Sequence, residues 1–272
     1  MSSGERSGLR IGAGGWGLVL LAVLALPFAT LLLNADWSDW VRAWQNQRAI
    51  DAALLSAGTS LTAVLLMAAF GIPLGYFLAH THSRLRPVLI CVVLLPMVTP
   101  GPAGGILLLL AYGPHSDIGG VFAAAGVPLI GSFAAIVLAQ VYVASPFVIM
   151  SAMVAFRGVD PRLEHAAATL GDKPIVTFFR VTLPVAGPTI AAGLALAWVR
   201  ALGEFGATVI VAYNPQTLPV HLWVRFQAEG LAGALPLAFL LMMLAAIATA
   251  LWTISGGLLA PRRMKETSGA PG

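Results

Sequence analysis

The 272-residue sequence predicts an all-α membrane protein with six transmembrane helices and both termini on the cytoplasmic side. Three observations carry that expectation. First, 58% of the chain is hydrophobic and only 10% charged, with a mean hydropathy of +0.88; a soluble domain carries roughly 25% charge, and a chain of this length cannot hide such an excess in a core of its own. Second, six apolar runs reach the roughly 20 residues that a helix needs to cross a hydrocarbon layer. Third, lysine and arginine concentrate in alternate connections, the pattern of segments retained inside the cell. The same composition excludes a disordered chain. A single cysteine, Cys91, excludes a disulfide scaffold. The net charge of +4 follows from the placement of basic residues around the spans, and no basic stretch is interleaved with aromatics, so nucleic acid is excluded as a partner. Lipid is the partner that the composition demands.

The expected spans are 11–33, 54–79, 88–111, 130–155, 185–213 and 232–260, within one domain that shows no internal repeat. The first is too long for a cleaved signal peptide and has no clear small-x-small cleavage site, so it counts as a span. Inside connections hold Arg6, Arg10, Arg84, Arg86, Arg157, Arg162, Lys173, Arg180, Arg262, Arg263 and Lys265, eleven of the fifteen basic residues. Outside connections hold only Arg42, Arg48 and Arg225, together with most of the acids Asp36, Asp39, Asp51, Asp117 and Glu229. Prolines interrupt several spans at Pro73, Pro96, Pro100, Pro146 and Pro236. Each removes a backbone donor, either as an ordinary feature of membrane helices or as the mark of a kinked bundle. The run Thr99-Pro100-Gly101-Pro102-Ala103-Gly104-Gly105 predicts a third span broken into pieces.

The inside loop 156–184 is the most informative stretch. Asp160 suits a helix N-cap, Pro161 the first helical position, and Glu164 lies near the reciprocal-cap position. A helix over 162–170 then stops at Gly171, and a second short helix runs towards Pro184, which opens the fifth span. Leu163, Ala166, Ala167 and Leu170 share a small, smooth face that fits either a partner's groove or the protein's own bundle.

Here the loop resembles the cytoplasmic Glu-Ala-Ala loop of permease subunits of binding-protein-dependent ATP-binding-cassette importers. In that pattern Glu-Ala-Ala is followed by three residues, Gly, nine residues and Ile-x-Leu-Pro. Gly171 is followed by nine residues and then Val181-Thr182-Leu183-Pro184; counting back, Ala166-Ala167 match and His165 occupies the glutamate position, with Glu164 one place early. The resemblance implies a bundle of the type I importer permease kind. It also implies an ATPase-coupling loop comprising Glu164, His165, Ala166, Ala167, Gly171, Leu183 and Pro184. The chain has no G-x-x-x-x-G-K-[ST] phosphate loop. It is therefore expected not to be an enzyme and to bind no cofactor, with ATP and magnesium on a separate ATPase subunit docked on the loop.

Two charges fall within the fifth span, Arg200 and Glu204, where each costs about 2.5–3.5 kcal/mol on insertion scales. Four residues apart, they can pair, and with Gly193, Ala197 and Thr208 they form a small and polar stripe. Arg200, Gly203, Glu204 and Thr208 then line a translocation pathway or gate, or else the ion pair only fixes helix packing. The stretch Gly203-Glu204-Phe205-Gly206-Ala207-Thr208 is similar to the fifth-span motif of molybdate- and sulfate-type permeases. That resemblance covers most of the chain from Leu54 onward, although the turn 214–219 lacks a glycine-rich segment. It implies import of a tetrahedral oxyanion (molybdate, tungstate or sulfate) delivered by an external binding protein. It implies further a homodimer or a pairing with a similar permease, in a bacterial inner or plasma membrane.

Other signals are weaker. His80 and His82 read as a solvated basic turn rather than a zinc site. His115, Asp117 and Tyr112 belong to an outside loop. His221, Trp223 and Phe226 form an interfacial helix or face the binding protein. Cys91 reads as a small core residue, and no metal site is expected. Ser56 and Ser60 lack the partners of a hydrolase. The alternatives are another cargo in the same importer class (phosphonate, ferric iron, polyamine), an ion-coupled secondary transporter, or a membrane-embedded enzyme.

Overall fold

The computed structural model of the chain describes the backbone of residues 3–34, 41 and 44–259, and the side chains of 17–34, 41 and 44–250. The side chains of Arg6, Arg10, Asp36, Asp39, Arg42, Arg262, Arg263 and Lys265 lie outside the described residues. Among the described residues every regular element is helical.

The first span, α1 (Ser3–Asn34), carries Pro27, and its described apolar side chains, from Leu18 on, mostly turn away from the rest of the chain. The second begins seven residues earlier than its hydropathy suggests: α2 (Gln47–Leu66), a π-helical turn (Met67–Gly71) and α3 (Ile72–His80) form one 34-residue helix. Pro73 sits in the first turn of α3, and the wide turn before it absorbs the missing donor. The third span is broken as expected, with α4 (Arg86–Val98) and α5 (Gly101–Tyr112) meeting at 118° across Thr99 and Pro100. Cys91 is exposed on α4, which buries none of its residues, so it is not a core residue. Ser116 Oγ caps α6 (Asp117–Ala124), accepting from Gly119 N at 2.9 Å.

The fourth span, α7 (Phe133–Arg157), is the central pillar and packs against α2 to α5. After α8 (Pro161–Thr169), the chain enters α9 (Pro174–Thr177), a second π-helical turn (Phe178–Thr182) and α10 (Leu183–Leu202), which form one 29-residue helix. The fifth span therefore starts eleven residues before Val185, and Pro184 opens no new helix. It also ends eleven residues before Tyr213: Gly203 caps it, residues 203–207 leave the helix, and α11 (Thr208–Val211) is a single turn. Hydropathy misses this end because the residues after it stay mostly apolar. α12 (Leu218–Glu229) and the sixth span, α13 (Leu231–Leu259), complete the chain.

Small residues set how closely these helices cross. A Cβ added at Gly75 would sit 2.6 Å from Ala152 Cβ, and one at Gly193 would collide with Ser151 Cβ, so α3 and α10 both press backbone-close on α7. Buried polar pairs tie the same helices: Gln140 Nε2 donates to Thr59 Oγ1 at 3.2 Å, Trp198 Nε1 to Ser60 Oγ at 3.1 Å, and Leu218 N to Ser56 Oγ at 2.7 Å. Ser56 and Ser60 thus join helices. The connections assigned inside by charge gather at one end, where Arg86 Nε donates to Leu78 O at 2.8 Å and Tyr76 meets Phe156 and Phe178 edge-on at 5.1 Å. Those assigned outside meet at the other, where Gly131 N donates to Val211 O at 2.8 Å.

Gly75→Val forces α3 away from α7 and is expected to cost about 1–3 kcal/mol. Gly187→Ala, where an added Cβ meets no atom within 4 Å, should lose nothing; thermal unfolding in detergent compares the two.

Candidate functional site

Two places hold the residues singled out from sequence, one at each end of the fifth-span helix. At the inner end, Asp160 Oδ1 accepts from Arg162 N at 2.9 Å and starts α8, with Pro161 in its first turn. The helix stops one residue before the expected Leu170. Gly171, at φ +93°, closes it: its N–H donates to Ala168 O at 3.0 Å and Asp172 N to Ala167 O at 3.1 Å, the paired bonds of a left-handed C-terminal stop. Only Asp172 and Lys173 separate Gly171 from α9.

Glu164 does not reach back to cap its own helix. Its Oε1 accepts from Thr182 Oγ1 at 2.5 Å, across to the π-helical turn at the base of α10. That bond puts Glu164 on the inward face of α8 with Ala167, which is buried. Leu163, Ala166 and Leu170 then point away from the chain, with Leu170 87% exposed. The expected single face is split: Ala167 rests on the protein's own bundle and the other three do not. His165 is exposed and, with Glu164, Tyr76, Asp172 and Thr182, lines a cleft between α8 and the bundle. Leu183 is half-buried and Pro184 exposed. Asp172 also pairs with Arg180 at 3.7 Å.

At the outer end, Arg200 Nη1 lies 2.6 Å from Glu204 Oε2. The pair forms, although not on one uninterrupted helical face, because Glu204 stands beyond the Gly203 cap. The Glu204 side chain is 2% exposed and the Arg200 side chain 39%. Glu204 Oε1 also accepts from Ala207 N at 2.8 Å, satisfying a backbone donor freed by the break. Gly193 and Ala197 face the interior of the bundle, so the stripe does not continue as one surface. Thr208 is fully buried and its Oγ1 has no partner among the described residues.

The proline–glycine run of the third span, to which sequence assigned no contact, meets this break. A Cβ added at Gly101 would lie 2.9 Å from Gly206 Cα, and one at Gly105 would lie 2.8 Å from Ala207 O. The run and the Gly203-Glu204-Phe205-Gly206 stretch are therefore two sides of one backbone contact. Glycines facing each other across a hundred residues carry no local signal beyond their being glycines.

Elsewhere, His80 Nδ1 lies 2.9 Å from Tyr76 O and its ring stacks on Tyr76 at 4.3 Å. Among the described residues no group of His, Cys, Asp and Glu side chains is placed to hold a metal ion. Trp223 stacks between Phe205 and Phe226 at the outer end.

Residues 71–263 match the family model described as "Binding-protein-dependent transport system inner membrane component". The chain belongs to this family. The matched residues include both α8 and the break after α10, so the whole of the candidate site lies within what family members share. A probable molybdenum ABC transporter permease protein of Haloferax volcanii is 41% identical over 227 residues, covering 84% of this chain and 83% of that one. A molybdate/tungstate transport system permease protein of Pyrococcus abyssi is 33% identical over 228 residues, covering 83% and 87%. A bacterial ABC transporter involved in the import of the acidic polysaccharide alginate shares the fold, with a TM-score of 0.66 at 17% identity over 96% of this chain and 98% of that one. The protein is thus a multi-pass membrane component of a binding-protein-dependent transport system.

The burial of the ion pair is unequal, and so is the expected cost of breaking it. Arg200→Met strands a buried carboxylate and should cost about 3 kcal/mol. Glu204→Gln keeps the acceptor for Ala207 N and leaves Arg200 partly in contact with water, at about 1 kcal/mol. Equal losses on chemical unfolding would mean that the carboxylate is not the buried partner.

Proposed function

We propose that this chain is the membrane-spanning subunit through which a tetrahedral oxyanion of the molybdate or tungstate class, handed over by an external binding protein, crosses the bacterial inner or plasma membrane. The chain carries no nucleotide-binding loop, so the driving force enters from a separate ATPase subunit that holds ATP and magnesium. The observation that carries this reading is the mechanical link at the inner end. α8 shows Leu163, Ala166 and Leu170 to the outside and is fastened to the base of α10 by the Glu164–Thr182 bond and the Gly171 turn. A partner that grips the exposed side of α8 therefore moves the fifth-span helix with it. Ala166 belongs to the gripped side, and the exposed His165 stands at the cleft beside it. Ala167 and Glu164 hold α8 to the bundle, and Leu183 and Pro184 begin the helix that is driven.

At the far end of that helix, Arg200, Gly203, Glu204 and Thr208 form the gate. Arg200 offers an anion a partly exposed guanidinium, and Glu204 behind it offsets most of that charge. An ion is attracted but not held deeply, as transit requires. The names of the relatives support the cargo class. Two copies facing each other across a shared pathway form the simplest assembly.

Leu170→Asp places a charge on the exposed side of α8 without touching the inward face. It is expected to abolish co-purification with the ATPase subunit and to cut molybdate uptake by proteoliposomes at least tenfold, while the chain still folds. Undiminished uptake with the ATPase still bound would refute the coupling role. Accumulation of molybdate by the chain alone, without ATPase or binding protein, would refute the proposed function.

A further inference from the structure

At the outer end, away from the Arg200–Glu204 pair, a cavity of about 570 Å³ opens between the start of α2 and the turn before α12. Its walls include Arg48, Asp51, Asn214, Gln216 and His221. Arg48 and Asp51 are the charged residues of its wall. Asp51 Oδ1 is engaged by Gln47 Nε2 at 2.8 Å, Arg225 is paired with Glu229 at 2.5 Å, and Arg48 has no ion pair among the described residues. Two buried polar atoms are also left over. His221 is 7% exposed, and its Nε2 has no hydrogen-bond partner among the described residues; the same holds for the Oγ1 of the buried Thr217, which makes no capping bond to α12. The bare Nε2 of His221, a residue of the cavity wall, points to a ligand that completes it.

The chemistry of that ligand follows from His221. Its Nδ1 lies 2.8 Å from Gln216 Oε1, an acceptor, so the neutral ring carries its proton on Nδ1 and leaves Nε2 bare. Burial, then Arg225, then Arg48 hold its pKa below the ordinary histidine value. The charged groups facing it are Arg48 and Asp51 from α2 and Arg225 and Glu229 from α12. The turn 212–216 adds only Tyr213 as a titratable group, and Leu231–Ala250 of α13 adds no charge. Both arginines, and neither carboxylate, hold that pKa down, so an anion in the cavity offsets their field at the ring and lets Nε2 take a proton and donate it.

We propose that this cavity is an outer binding site for one small tetrahedral oxyanion, held by Arg48, the Asn214 and Gln216 amides and the His221 imidazolium, and that each ion bound is accompanied by one proton taken up on Nε2. The site lies at the outer end of the bundle, where arriving cargo would rest before the gate. Its cargo class rests on the function proposed above, but its existence as an anion site does not.

The test uses the full chain in nanodiscs, without ATPase or binding protein, and radiolabelled sulfate as the probe, since sulfate keeps its charge between about pH 6 and about pH 8. Saturable binding of one sulfate per chain is expected, with affinity falling up to about tenfold per pH unit between the His221 pKa values of the empty and the loaded site. Arg48→Gln, at an exposed position, should weaken binding at least tenfold, and His221→Gln should abolish the pH slope. In parallel, the His221 imidazole resonances should titrate at higher pH with sulfate than without. Absence of saturable binding at both pH values, or a His221 titration unmoved by sulfate, overturns the proposal. Competition by molybdate identifies the site with the transported ion; sulfate binding without it keeps the anion site and removes its link to the cargo. Molybdate uptake by the assembled transporter is measured separately. Uptake without sulfate binding rejects only the cavity, whereas sulfate binding without uptake rejects only the cargo reading.

Discussion

Backbone-close contact with α7 is the constraint on which the rest of the structure depends. In lipid, an apolar side chain gains little by leaving the hydrocarbon for a helix interface, so association rests on dense packing and on polar bonds between helices. Gly75 and Gly193 let α3 and α10 lie directly on α7, with Ala152 and Ser151 as the facing residues. The Gln140–Thr59 and Trp198–Ser60 bonds then fix α2, α7 and α10 in one register. A bundle held in this way leaves large faces of α1 and α4 to the lipid.

The same constraint explains why the fifth span can stop short without destabilising its surroundings. A helix end in a low-dielectric region leaves backbone groups without partners. The Glu204 carboxylate answers one of them at Ala207 N while Arg200 answers the carboxylate. Gly101 and Gly105 bring α5 against the irregular segment closely enough to exclude lipid. Charge, break and glycine run form one unit.

What could be read from sequence was whatever is carried locally or in aggregate. Span existence, the Asp160 cap and the Gly171 stop follow from hydropathy and single-residue backbone preferences, and all appear in the fold. Helix ends were harder. The fifth span is apolar past Leu202, so hydropathy continues where the helix does not. π-helical turns at Met67–Gly71 and Phe178–Thr182 let helices run through proline positions that look like breaks. Side-chain partners were harder still. Thr182, 18 residues from Glu164, takes the bond that proximity would assign to the helix's own first turn. The orphaned Thr217 and His221 atoms have no sequence signature, since burial and lack of a partner are properties of the assembled chain.

The unbroken run from Pro174 to Leu202 gives the fifth span a lever geometry. At about 1.5 Å per residue, its 29 residues make a rod of roughly 43 Å. A pivot of about 5° at the cytoplasmic foot carries the Arg200 end sideways by nearly ~4 Å, comparable to the diameter of a small anion. A shorter rod, or one cut by a true proline hinge at Pro184, would dissipate that sweep. The wide turn at Phe178–Thr182 that keeps the rod whole therefore sets its mechanical gain.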